Sequence, residues 1–270
     1  MKVLNQSGMR WFLALFVLIH VGCFIGLVMF DEESLRGFNP QSPNLTHIFG
    51  TTTTGLDIGY ILANSIPITL WFLTLSVGAV FCFALCLGIV FGYCQRLNSY
   101  LPLLRIIEMV NSIPMLMVLV ILGYYHWLFW GTFLILLVVF KWPLIAQIVQ
   151  GLTLSQRRSI PVMVAQNAGF QSHKILRHYF LPKIFKALMP KVPTLAISIF
   201  NTLAIMDYLG YSFIGAPSLG SLIAEGKDNL YAPWILLSGL GGLLVVNLPF
   251  IIWSFLAIEP NDNDKRLTHA

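Results

Sequence analysis

Four polar side chains stand inside stretches that are otherwise hydrocarbon: Glu108, Asn111, Lys141 and Asp207. Lys141 falls near the middle of an apolar run, where insertion scales put the cost of a charge at about 2.5 to 3.5 kcal/mol, so it must face protein or a watery path. It has two readings, a contact with a substrate carboxylate or a structural role, either snorkelling or pairing between helices with a residue such as Asp207, and the second is the default. Asp207 itself lies near the outer end of its run, where solvation accounts for it. Glu108 and Asn111 admit a polar path through the membrane or hydrogen bonds between packed helices. None of the four belongs to a nucleophile–base pair. The cysteines Cys23, Cys82, Cys86 and Cys94 sit in or beside apolar runs, without metal-site spacing to the histidines. No G-x-x-x-x-G-K-[ST] phosphate loop occurs, so nucleotide chemistry must come from another chain. These residue types point to passage across a membrane, not to bond-breaking.

A second polar group is continuous in sequence. Residues 152–190 carry Arg157, Arg158, Lys174, Arg177, Lys183 and Lys186 and no acid. Pro161 fits the first turn of a short helix, Gly169 could close it, and a second helical pattern runs from Ser172 to Pro182. Two short helices meeting at a glycine make a shape that a soluble partner beneath the membrane could grip. Val162, Ala165 and Gln166, spaced by three and four, would share one face of the first helix, with Arg157 and Arg158 as polar anchors before it.

The elements that position these groups follow from composition. With 57% hydrophobic and 10% charged residues over 270 positions, the chain is an integral membrane protein. Its apolar runs of about 20 residues indicate helices; a barrel would show alternating segments of about ten. The reading is all-α with six crossings. Residues 1–30 are an inner amino terminus and a retained first helix, 31–66 an outer segment whose second half could lie on the surface, and 67–258 a core of spans two to six. That core includes the basic loop 152–190 and an outer loop 210–231, and 259–270 is an inner tail. Spans three and four divide at an aromatic belt of Tyr124, Tyr125, His126, Trp127 and Trp130. On this layout 13 Lys and Arg lie inside and two, Arg36 and Lys227, outside, which orients both termini to the cytoplasm. The excess positive charge is thus topological and does not imply nucleic acid.

The order of motifs from about His47 to Asn247 resembles the permease subunits of ATP-binding-cassette importers, in the dipeptide, oligopeptide and nickel branch. Met163, Val164 and Ala165 stand in the slots of that family's EAA signature, with Gly169 as its glycine and Leu181-Pro182 as its closing pair. His47-Ile-Phe-Gly50-Thr51 followed by Gly55-Leu56-Asp57 resembles its outer H-x-L-G-T-D-x-x-G-R-D segment. Trp142-Pro143 resembles the end of its fourth span. Pro217-Ser218-Leu219-Gly220, Ala224-Glu225-Gly226 and Ala232-Pro233-Trp234 resemble its last outer loop. Several charged family positions are neutral here: Met163 replaces the glutamate, Thr52 an aspartate, Leu56, Gln147 and Gln150 arginines, and Leu203 an acid.

The resemblance implies a non-enzymatic subunit of a bacterial inner-membrane importer. Its partners would be a sister permease, two cytoplasmic ATP-binding subunits that hold the ATP and magnesium, and an external substrate-binding protein. Coupling to the ATPase would run through Arg157, Arg158, Pro161, Val162, Met163, Ala165, Gln166, Gly169, Leu181 and Pro182. The binding protein would meet Gly50, Thr51, Gly55, Asp57, Pro217, Gly220 and Glu225. Peptide is the expected cargo, with nickel or a metal chelate next. Export or antimicrobial-peptide resistance on the same scaffold, and an ion-coupled carrier using Lys141 and Asp207, are the alternatives.

Overall fold

The computed structural model describes residues 6–29, 40–93, 100–211 and 217–257. The expected inner tail 259–270, the stretch 31–39 of the expected outer segment and the turn at Cys94, Gln95 and Arg96 lie outside them. Among the described residues the structure is helical apart from an isolated antiparallel bridge between Thr51 and Asp57. In chain order the helices are α1 (Gln6–Met29), α2 (Ile58–Tyr93), α3 (Tyr100–Ser112), α4 (Met115–Tyr124), α5 (Trp130–Arg157) and α6 (Ile160–Asn167). They continue with α7 (Ser172–Tyr208), α8 (Leu219–Asp228) and α9 (Pro233–Ala257). Four of them, α2, α5, α7 and α9, are long and apolar enough to cross a membrane, and α3 with α4 forms a pair bent by 53° that passes the same test together. From Leu13 to Met29, α1 is a shorter apolar helix.

Three boundaries differ from the sequence reading, each for a local reason. The stretch from Leu56 to Ile66 is not a separate surface helix: from Ile58 it forms the first turns of α2, and Pro67 is carried inside that helix. Span three is broken at Ile113–Pro114, where Pro114 disfavours a helical residue before it and itself extends the backbone, at ψ 107°, before α4 begins. The second helix of the basic loop does not end at Pro182 but runs on as α7. The amide of Leu181 reaches back five residues to the Leu176 carbonyl, a π turn whose width accommodates the proline after it. Pro190 lies instead in a tighter 3-10 turn over Met189–Lys191. At about 1.5 Å per residue, α2 and α7 are each about 54 Å long, against about 30 Å of hydrocarbon, so both project beyond a bilayer.

Packing centres on α2 against α5. A Cβ on Gly88 would lie 2.6 Å from Val149 Cβ, and one on Gly92 would lie 2.6 Å from Thr153 Cβ, so bare backbone lets the two helices approach. Ser65, Thr69 and Thr153 return their hydroxyls to carbonyls four residues back, which hides these donors from an apolar surround. Phe72, Phe133, Phe180 and Phe200 are fully buried in the same core. Helices α4, α6 and α7 close in one manner, with the amide after the cap bonded to the carbonyl three residues back and the next amide to the one five back. The left-handed residue is Gly169 after α6, Gly210 after α7 and His126 after α4.

Gly88→Leu should destabilise the fold by about 1 to 3 kcal/mol through overpacking, read as a lower unfolding temperature in detergent. Gly78→Leu, on the same helix with no atom within 4 Å of the added Cβ, should leave that temperature unchanged.

Candidate functional site

The basic elbow lies where α2, α5, α6 and α7 meet. Pro161 stands in the first turn of α6, and Gly169, at φ +77°, turns the chain back toward α7. Val162 is 0% exposed and Ala165 is buried too, packed in one cluster with Ile175, Phe180 and Ile184 of α7. The face that the spacing assigned to a partner therefore divides. Val162 and Ala165 hold the elbow to the bundle, while Gln166 stays outside with Ile160 (77% exposed), Met163 (50%), Val164 (61%) and Phe170 (55%).

Polar clamps fix this arrangement. Arg157 Nη1 donates to the Tyr93 carbonyl at 3.0 Å and its guanidinium lies 5.9 Å from the Tyr93 ring, which stacks edge-on with Phe180 at 6.0 Å. Lys183 Nζ donates to Gln156 Oε1 at 2.5 Å. Arg158 is exposed at the cap of α5, Leu181 is half-buried, and Pro182 is exposed on α7. Tyr93 and Gln156 carried no sequence signal, because their role depends on helices far apart in the chain.

At the opposite end of α2 a second constellation closes the bundle. Asp57 caps α2: its Oδ1 accepts from the amides of Gly59 at 2.6 Å and Tyr60 at 3.3 Å. The other oxygen, Oδ2, lies 2.6 Å from His47 Nδ1. Glu225 Oε1 accepts from the amide of Thr53 at 2.6 Å and from its hydroxyl at 2.5 Å, joining this loop to α8. Trp234 Nε1 donates to the Thr51 carbonyl at 3.2 Å, joining it to α9. Of the residues assigned to a binding protein, Gly50, Thr51, Gly55 and Asp57 are buried in this knot, and so is Gly220, whose Cβ would meet the Ala204 carbonyl oxygen at 2.4 Å. Pro217 is exposed and Glu225 half-buried. Buried groups of this kind support a surface from behind; the exposed apolar side chains of that end include Leu45, Ile48, Phe49, Leu230 and Tyr231.

The four intramembrane polar residues do not converge. Lys141 Nζ donates to Ser198 Oγ at 2.9 Å, so its interhelical partner is a serine of α7 and not Asp207. Asp207 is 4% exposed, which overturns the reading of a solvated carboxylate. Glu108 and Asn111 are exposed on α3. Asn111 and Lys141 share the lining of a cavity of about 290 Å³.

Residues 84–258 match the family described as the binding-protein-dependent transport system inner membrane component. The chain belongs to that family. Among curated permeases, it is 31% identical over 218 residues to the peptidoglycan transport system permease protein YejE of Agrobacterium fabrum, covering 77% of this chain and 56% of that protein. To the inner membrane ABC transporter permease protein YejE of Escherichia coli K12 it is 29% identical over 169 residues, covering 58% of this chain and 47% of that protein. The chain thus spans about half the length of these two permeases. The dipeptide transport system permease protein DppC of Bacillus subtilis is 27% identical over 231 residues, covering 84% of this chain and 71% of that protein. A solved structure of the MetNI methionine ABC transporter in inward-facing conformations shares the fold, with a TM-score of 0.55 at 20% identity over 77% of this chain and 96% of that one. The permease fold places the elbow and the knot at opposite ends of one helical bundle.

Asp57→Ala removes the cap of α2 and the carboxylate beside His47, and should cost about 2 kcal/mol. Faster proteolysis within 40–57 and a lower unfolding temperature are the expected measurements.

Proposed function

We propose that this permease is the membrane-spanning subunit of an ATP-driven importer of peptides, free or attached to peptidoglycan fragments. It works beside a sister permease, above two ATP-binding subunits that hold ATP and magnesium, and below an external binding protein. The observation that carries the reading is the exposed apolar surface of the elbow, formed by Ile160, Met163 and Val164 of α6 and Phe170 just after its closing glycine. It is surrounded in sequence by Arg157, Arg158, Lys174, Arg177, Lys183 and Lys186, with no acid between 152 and 190. Water-soluble surroundings would leave such a patch at a cost, and a groove on a soluble ATPase with an acidic rim would cover it.

The six crossings in this reading are α1, α2, the bent pair α3–α4, α5, α7 and α9, with the elbow and both termini in the cytoplasm. The knot at Asp57, Glu225 and Trp234 then faces outward and backs the surface offered to the binding protein. Met163 replaces a family glutamate, so docking depends on apolar fit and on the flanking arginines. Movement of the ATPase against α6 passes through Val162, Ala165 and Phe180 into α7. Because α7 has no break between Ser172 and Tyr208, a displacement at the elbow tilts the whole crossing.

Reconstituted in proteoliposomes with its partners, the complex should accumulate labelled peptide on the ATPase side only when ATP is supplied. Movement in the opposite direction, or uptake that survives without ATP and collapses with the proton gradient, overturns the reading. Within the same system, Val164→Asp should lower co-purification with the ATPase and transport at least tenfold while the amount of inserted permease stays constant. Gly169→Pro, which cannot hold a positive φ, should do the same by straightening the elbow.

A further inference from the structure

The cavity beside Lys141 is lined by two lysines and no carboxylate, with Lys141 at Ser198 and the exposed Lys191 about 10 Å farther along α7. Asn111 of α3, Lys141 and Gln147 of α5, and Lys191, Thr194 and Ser198 of α7 supply its polar wall. Lys191, Thr194 and Ser198 are spaced by three and four, so they form one stripe along α7. Lys141 spends one of its three donors on Ser198. No carboxylate lines the cavity, and neither lysine has an ion-pair partner among the described residues. Asp207 lies nine residues beyond Ser198, about 13 Å farther along α7. Glu108 precedes Asn111 by one turn but is exposed and outside the lining.

A serine hydroxyl orients an ammonium but does not neutralise it, and a charge within a membrane span calls for a counter-ion or water. Everything else in this wall is a donor or a neutral amide or hydroxyl, so the missing complement is an anionic oxygen group. Its depth narrows the source. Lys141 lies eleven residues past Trp130, about 16 Å along α5, near the middle of about 30 Å of hydrocarbon if Trp130 marks the interface. Lipid phosphates reside at the interface, whereas a peptide in transit must pass the midplane. A volume of about 290 Å³ suits the end of a peptide and not its whole length.

We propose that this cavity binds the terminal carboxylate of the transported peptide, with Lys141 and Lys191 as counter-ions and Ser198 and Thr194 as hydrogen-bond partners. The proposal rests on the reading of the chain as a peptide permease. Retention here gives the permease its own hold on cargo after release from the binding protein, and a preference for free carboxyl termini.

The test uses the complete transporter with its ATP-binding subunits in phosphatidylcholine nanodiscs, without the binding protein, and trialanine as probe. Trialanine should bind, and its C-terminal amide should bind at least tenfold more weakly. Lys141→Met should remove the difference and Lys141→Arg should keep it; Ser198→Ala, which leaves both cations, should weaken binding without erasing the preference. Equal binding of the two peptides, no binding of either, or an unchanged preference in Lys141→Met overturns the proposal. A parallel arm with phosphatidylglycerol in the disc, read by native mass spectrometry, tests the other source. Lipid retained by wild type and lost in Lys141→Met, with no preference between peptides, assigns the site to a lipid phosphate and overturns the peptide carboxylate. Basal ATP hydrolysis by the wild-type disc is measured first. Failure of that assembly counts against the permease reading, whereas failure of the peptide preference in an active assembly counts only against the site.

Discussion

In hydrocarbon a backbone must satisfy its own hydrogen bonds, and that rule leaves few ways to place a proline within a crossing. The helix Ser172–Tyr208 is built around this limit. Pro182, Pro190 and Pro193 would each be expected to interrupt it, yet the first follows a π turn, the second sits in a 3-10 turn, and the third falls in the first turn of the α-helical stretch after it. The result is a single body that carries the elbow's inner contacts at one end, the lysine–serine stripe in its middle and Asp207 near the other. The elbow's inner contacts, the Lys141–Ser198 bond and Asp207 all lie on or against this helix. Were it broken at Pro182, the elbow would be a tethered appendage and its movements would dissipate in a hinge.

The two ends of the bundle solve different problems with different chemistry. The knot at Asp57 combines carboxylate-accepted hydrogen bonds at Asp57 and Glu225 with the Trp234 indole to tie the loop to α8 and α9. The elbow uses apolar packing beneath and exposed bases around it, so it resists being pulled from the bundle but offers an adaptable outer face. A rigid end and an adaptable end are thus joined by the same long helices.

Much of this was legible without coordinates. Apolar run lengths give the helices, and Pro161, Gly169 and Leu181-Pro182 locate the elbow. What could not be read was the direction of side chains on short helices. Val162, Ala165 and Gln166 share a spacing, but spacing does not say whether the stripe faces a partner or the chain's own core. The buried polar groups were hidden for a related reason: the resemblance sets Asp57 and Thr51 on an outer segment, and only the closure of α8 and α9 over that segment makes them internal. Asp207 was assigned to solvent by its place in the sequence, while α8 and the end of α7 pack to cover it. Ser198 gave no signal, since a serine inside an apolar run more often bonds its own helix.

The left-handed residue that ends three of the helices separates two kinds of demand for glycine. After α4 the position is held by His126 at φ 57°, so this turn tolerates a side chain at the cost of local strain. After α6 it is Gly169, with open space where a Cβ would point. Crowding therefore does not require glycine at the elbow; backbone preference does. Alanine there would keep the bend at a cost of about 1 kcal/mol and asparagine at less, whereas proline could not form it at all, so the corner's shape is held by the backbone of one residue.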